Sequence, residues 1–337
     1  MTDWPLDWQG LVDEAVRRRK EEGHTQKSLA ALAGVSVPTV NAFEQGEIKL
    51  RLEKVFHILE ALGMVVLPSA PGSFAAFVRA ARQRWSQLVA PLPAGHPSRQ
   101  PLGRVSYAYS IDGVETGLSL GSLRTVLAGL PSTSGWPPFW VPNGEGTRPV
   151  IRDGLIECWI GNPDAERLLT EPAFSDFWQV SGDLQTYLQR GFNEDGNSNL
   201  EPGTIFDVAL PIWRTAELFG QLLHFAKALE LDPDQRFRFE SRYDGLEGRQ
   251  LVAWAAPLRR GGLREGSRSR TASVNLTVET SFAGLHANFD DVVHQALAPL
   301  YDLFDGFEAT PQFVTSEIGE FHNAMVRLGH NPMPATL

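Results

Sequence analysis

Two clusters of helix-breaking residues divide this chain and constrain what it can fold into. The first is Pro68-Ser69-Ala70-Pro71-Gly72-Ser73 and the second is the proline-rich stretch 91–101, PLPAGHPSRQP. Proline removes a backbone donor and disfavours the helical conformation of the residue before it, so regular elements stop at both clusters. Before the first cluster the pattern is almost entirely short helices. After the second, strand-like runs appear. The expected organisation is an all-α N-terminal domain over 1–67, a linker with a connecting helix over 68–101, and a larger mixed α+β domain over 102–337.

Composition narrows the class. Of 337 residues 42% are hydrophobic, with nine Trp and nineteen Phe, enough apolar side chain for a sizeable core. A net charge of -10 argues against a uniformly basic nucleic-acid coat, while leaving room for a local DNA-reading face. A single cysteine, Cys158, excludes an intrachain disulfide framework and any cysteine-based zinc cluster. No run approaches the ~20 apolar residues of a membrane span. The start, MTDWPLDWQG, has neither a basic nor an apolar signal region, so the expectation is a soluble cytoplasmic protein with no membrane partner.

Residues 23–46, GHTQKSLAALAGVSVPTVNAFEQG, are the most informative segment. Thr25 suits the cap of a helix whose inward face is Leu29, Ala30 and Leu32. Gly34 breaks that helix, and Gly34-Val35-Ser36 turns into a second one from Val37. Ser36 is a natural N-cap, and Pro38 falls in the first turn, where its missing N–H costs nothing. Val40 and Phe43 point inward, leaving Val37, Thr39, Asn41 and Ala42 outward. Two short helices joined by such a turn form a helix-turn-helix unit, whose second helix can enter the major groove.

The pattern Thr25-Gln26, Leu29-Ala30, Gly34-Val35-Ser36, Val40, Phe43-Glu44-Gln45-Gly46, followed by RLEKVFHILEALG from Arg51, resembles the XRE family. This is the helix-turn-helix class of Cro and the lambda-type repressors. The likeness covers about residues 8–64, and it implies a compact helical domain that binds an operator on double-stranded DNA as a homodimer. By position it implies that Gln26 hydrogen-bonds a phosphate and that Ser36, Val37, Pro38, Thr39, Asn41 and Ala42 form the base-facing end of the recognition helix, with Gln45 in the same DNA-contacting set. The chain departs from members with Gln or Arg at Val37, Pro38 or Ala42. Apolar groups meet thymine methyls but read no donor–acceptor pattern, so direct readout falls to Thr39 and Asn41, with DNA shape supplying the remainder. Residues 1–70 carry eight basic and ten acidic side chains, poor for nonspecific binding. Lys27, Lys49 and Arg51 flank the motif as candidate phosphate contacts, whereas the run Arg17–Lys20 reads first as a solvated helix face.

In the connecting segment, Phe74, Phe77, Val78, Ala81, Trp85 and Leu88 recur at helical spacing, so one face of that helix is meant to be buried; hinge, strut and dimerisation element all remain open. The larger domain shows strand patterns at Arg104–Ile111, 155–160, 236–243, 250–255 and 271–281, and helical stretches at 182–192, 215–229, 289–304 and 313–328. Gly117-Leu118-Ser119-Leu120-Gly121 matches the nucleophile-elbow pattern without the preceding buried strand that the elbow needs. Eight histidines show no metal-ligand spacing, so no metal and no cofactor are expected. Cys158 reads as a small buried strand residue.

GWPPFW, DFWQVS, YLQRGFNED and LPIWRTAE concentrate aromatic and charged groups. From them Trp136, Trp140, Trp178, Arg190, Trp213, Arg214 and Glu217 are the candidate ligand pocket. Several of these segments also resemble an uncharacterised region of bacterial proteins that carry a Schlafen-like DNA-binding module, a likeness that carries no residue roles. Arg259, Arg260, Arg264, Arg268 and Arg270 form an arginine-rich loop, a second candidate for phosphate contact.

The leading expectation is a non-enzymatic transcriptional regulator, a repressor binding an inverted repeat, whose large domain senses a small-molecule or protein effector, dimerises, or both. The alternatives are an antitoxin-like or defence-associated protein whose large domain holds a partner protein, and an enzyme with a fused DNA-targeting domain.

Overall fold

A computed structural model of the chain describes residues 7–21, 24–33, 35–62, 64, 73–114, 117–132, 134–166, 169–196, 199, 201–255 and 267–334. They divide into two compact units, Met1–Ala76 and Phe77–Leu337.

The first unit is all helical: α1 (Trp8–Glu21), α2 (Gln26–Leu32), α3 (Val37–Glu44) and α4 (Leu52–Ala61). One core holds it together, with Val12 and Ala15 of α1, Leu29 and Ala30 of α2, Val40 and Phe43 of α3, and Val55, Ile58 and Leu59 of α4. α1, α3 and α4 contribute positions three or four residues apart and α2 the adjacent Leu29 and Ala30, so four short helices that are marginal alone become stable together. Trp8 locks the unit's first helix to the end of α3: its indole meets Phe43 edge-on at 5.7 Å and donates to the Gly46 carbonyl at 2.9 Å.

The second unit is built on a seven-stranded sheet with strand order β2-β3-β4-β5-β1-β7-β9. The strands are β1 (Arg104–Ile111), β2 (Val150–Arg152), β3 (Leu155–Trp159), β4 (Phe177–Ser181), β5 (Thr186–Gly191), β7 (Arg236–Asp244) and β9 (Ser273–Ser281), and every pairing is antiparallel. A separate parallel pair joins β6 (Ile205–Asp207) to β8 (Gln250–Val252). One face of the large sheet carries Tyr107, Trp178, Leu188 and Phe239 into the main core. That core is completed by α6 (Leu120–Gly129), α7 (Leu210–Ala228), α8 (Phe282–Ala287), α9 (Phe289–Tyr301) and α10 (Pro311–Arg327). Phe219 of α7 packs edge-on against Phe239 at 4.9 Å.

The opposite face is covered by α5 (Phe74–Val89). Arg84 grips Glu157 of β3 through two hydrogen bonds of 2.9 Å, and Gln179 of β4 donates to the same carboxylate at 2.8 Å. Burial pushes the Glu157 carboxyl up, but those hydrogen bonds outweigh it and hold the group below the usual carboxylate range. Arg104 of β1 lies 5.2 Å over the ring of Trp85. The helix that the sequence sets in a linker is thus the outer layer of the sheet unit. The second breaker cluster is equally anchored, for Gln100 is buried, donates to Ser175 O and accepts from Gln189, both at 3.1 Å.

Covering both faces explains one correction. The stretch 182–192, expected to be helical, contains β5, every residue of which is buried. A strand buried on both sides loses the polar–apolar alternation that marks half-buried strands. β4 has the same all-buried pattern. The other strand and helix expectations fall on β1, β3, β7, β8, β9 and on α7, α9 and α10.

Candidate functional site

The recognition helix is held by local chemistry that the sequence displays. Ser36 is its N-cap and accepts from Thr39 N at 3.3 Å, with Pro38 in the first turn. The helix closes at Gly46, whose φ of +76° suits glycine, while Glu47 N reaches back to Ala42 O at 3.0 Å. Gly34, expected at the interhelical turn, lies outside the described residues.

With Val40 and Phe43 buried, α3 presents Val37, Pro38 and Asn41 outward, and Gln45 follows on the same side. Gln45 Nε2 donates to Asn41 Oδ1 at 3.4 Å, a weak link that leaves both amides available. Two carboxamides one turn apart each offer the donor and acceptor that an adenine edge requires. The Thr39 hydroxyl lies 2.8 Å from Ser36 Oγ, so much of its hydrogen-bonding capacity serves the cap. Its methyl, with Val37 and Pro38, makes the leading end of the helix apolar. Ala42, expected to project outward, is half-buried beside them, and Lys27, Lys49 and Arg51 are exposed.

Gln26 has a role that the sequence did not reveal. Its Nε2 donates to Glu44 Oε2 at 2.8 Å, tying the start of α2 to the end of α3. Arg19 of α1 is ion-paired to the same carboxylate through Nε, and its Nη2 reaches Glu44 Oε2 at 3.0 Å. Arg19 Nη1 also donates to His24 O at 2.8 Å. The run 17–20 is therefore not uniformly a solvated face: Arg17 and Arg18 pair with Glu14, and Arg19 is a clamp. No local signal marks Arg19 or Glu44, because the pair closes across 25 residues.

In the sheet unit the seven candidate pocket residues do not converge on one pocket. Trp136 and Trp140 wall a cavity of about 650 Å³. Trp213, Arg214 and Glu217 wall a second of about 390 Å³, between α7 and α10. Arg190 and Arg214 border a small void of about 30 Å³. Trp178 is a core residue of β4 rather than a pocket wall, fully buried with its indole donating to Trp140 O at 3.0 Å. A buried polar chain backs the first cavity: Asp176 Oδ2 accepts from Trp136 Nε1 at 3.2 Å and from Arg190 at 2.6 Å. Burial outweighs Arg190 and pushes the Asp176 carboxyl up.

Other motifs resolve plainly. Ser119 is the exposed N-cap of α6, accepting from Ser122 N at 3.1 Å, and among the described residues no strand runs directly into it, since β1 ends at Ile111. Cys158 is buried in β3 and its thiol is pushed well up by burial. Among the described residues no group of His, Cys, Asp or Glu is placed to hold a metal ion. Arg259, Arg260 and Arg264 lie outside the described residues, while Arg268 bonds Gly248 O at 2.7 Å and Arg270 pairs with Asp305 at 3.1 Å. No described helix is long and apolar enough to cross a membrane.

Comparison with known proteins agrees with the first unit. Residues 17–65 match the helix-turn-helix family model HTH_3. The N-terminal unit is thus an XRE-like helix-turn-helix domain of DNA-binding type, followed by a mixed α+β region. No curated protein and no solved structure matches the chain, and the likeness of the larger unit to Schlafen-like proteins finds no support.

Proposed function

We propose that this chain is a sequence-specific DNA-binding transcriptional regulator, acting as a repressor on an inverted-repeat operator as a homodimer. The observation that carries the reading is α3: a capped helix, clamped through Glu44 to α1 and α2, with Asn41 and Gln45 exposed on the side away from the core. Lys27, Lys49 and Arg51 supply backbone contacts, with Gln26 adding a neutral donor. An unpaired apolar surface supports the dimer: Ile48 and Leu52, just past α3, are 80% and 64% exposed. The α+β unit senses an effector, contributes to dimerisation, or both, and no reaction is proposed for it.

In operation, an effector shifts DNA affinity only by binding the DNA-competent and incompetent arrangements unequally. The test is binding of the purified protein to a fragment of its own upstream region and to a scrambled fragment, at near-physiological salt. Preference for the first, with two symmetric half-sites protected about one helical turn apart, is the expected result. Equal affinity for both fragments sinks the proposal.

A further inference from the structure

The cavity beside Trp136 and Trp140 has a chemistry of its own. The two ring centroids are 4.6 Å apart with planes tilted by 57°, so the indoles form a corner rather than a parallel stack. The corner is held from behind. Trp136 donates to the buried Asp176 carboxylate at 3.2 Å, and Phe174 meets its ring edge-on at 4.8 Å. Trp140 is fixed through its carbonyl, which accepts from Trp178. A carboxylate bonded to an indole N–H draws the proton outward and leaves the π face more negative, which favours a cation above the ring.

The polar side of the cavity carries Glu145, Asp164 and Glu166, all exposed, and no Lys or Arg among the described residues lines it. Among the described residues these carboxylates form no ion pair; Arg167, next in sequence to Glu166, lies outside them. Nor do they converge as a metal site would require. Against the described lining an anion would face three carboxylates, and a neutral aromatic ligand would leave them without use. A diffuse, weakly hydrated organic cation matches both walls, and a volume of about 650 Å³ lies within the usual range of small-ligand sites.

We propose that this cavity binds a small organic cation of the quaternary-ammonium class, its charge over the Trp136–Trp140 corner and within the field of Glu145, Asp164 and Glu166. As the effector class of a sensing unit, this rests on the functional reading above. As a binding site it is measured without DNA, so a failure here is told apart from a failure of operator binding.

The experiment titrates the full chain with choline and tetramethylammonium chlorides, and with 3,3-dimethylbutan-1-ol, the uncharged isostere of choline. Tryptophan fluorescence and calorimetry are read at constant ionic strength. Both cations should bind saturably, about tenfold or more tighter than the isostere. Trp140→Leu should remove that advantage and Trp140→Phe should keep most of it. The triple variant Glu145→Gln, Asp164→Asn, Glu166→Gln has only exposed positions changed, so its fold is safe even if a Trp140 variant melts early. It should bind the cations several-fold more weakly and with a flatter salt dependence. The proposal is overturned by the absence of saturable cation binding, by equal affinity for cation and isostere, or by constants unchanged in both the Trp140→Leu and the triple variant.

Discussion

Two residues carry most of the chemistry that a single substitution can test. Asn41 stands on the outer side of α3, linked only weakly to Gln45. If it reads a base edge, Asn41→Ala weakens operator binding by about 1–3 kcal/mol and leaves scrambled DNA unaffected. A loss of equal size on every sequence would place Asn41 on the phosphate backbone instead. In the sheet unit, burial raises the Glu194 carboxyl to about 7, although it accepts from Asp207 N at 2.8 Å. A carboxyl raised in the folded state holds its proton there and releases it sooner on unfolding. Its contribution is therefore complete below the unfolded value of 4.5 and is lost as pH rises through about 7. The loss amounts to roughly 3 kcal/mol by the usual conversion. Burial lowers His224 and His322, which act in the opposite direction, so the comparison must be with a variant. Glu194→Gln keeps an acceptor and cannot ionise. Denaturant midpoints should show the variant gaining on the parent between pH 5 and pH 8, and parallel curves would remove Glu194 from the account.

At the scale of elements, α3 depends on its cap and on the clamp beneath it. Ser36→Ala deletes the acceptor for Thr39 N and should cost the first unit about 1 kcal/mol, seen as an earlier melting transition. An unchanged transition would mean that Thr39 or water replaces the cap. The exposed cations act on another axis. Replacing Lys49 and Arg51 together by Gln should weaken binding to all sequences alike and flatten the dependence of log K on log salt by about one to two units. Retention of the original slope would exclude both from phosphate contact. Elsewhere, the start of α7 is set by Asp207, which accepts from Ala209 N and Leu210 N at 2.7 Å and also from Trp254 N at 2.8 Å and Ala255 N at 2.7 Å. One buried carboxylate thus joins the helix start to the chain leaving β8.

For the whole molecule, the division into two units predicts how pieces behave. The sheet needs α5, because without it Tyr187 loses Arg82 and the buried Glu157 carboxylate loses Arg84. A fragment of residues 73–337 should be monodisperse with a cooperative melt, whereas 102–337 should aggregate or fail to melt cooperatively. Equal behaviour of the two in size exclusion and circular dichroism would show that α5 is dispensable. The net charge of -10 belongs to the whole chain, so DNA affinity has to come from a few well-placed cations rather than from bulk attraction.

The DNA-reading unit was legible from residues alone because its signals are short in range. The Ser36 cap, Pro38 in the first turn, Gly46 at the close and the apolar spacing of Leu29, Val40 and Phe43 act over about four residues, so they appear as local pattern. What lay beyond local pattern depended on partners far along the chain. Arg84 meets Glu157 across 73 residues, and that contact made a helix between two breaker clusters a layer of the sheet unit. Cover from both sides hid β4 and β5 from periodicity, and it sent Trp178 to the core while Trp136 and Trp140 were left at a cavity wall. Residue type established that these aromatic and charged groups needed burial or a partner; only the stacking of α5, sheet and inner helices decided which of them received each.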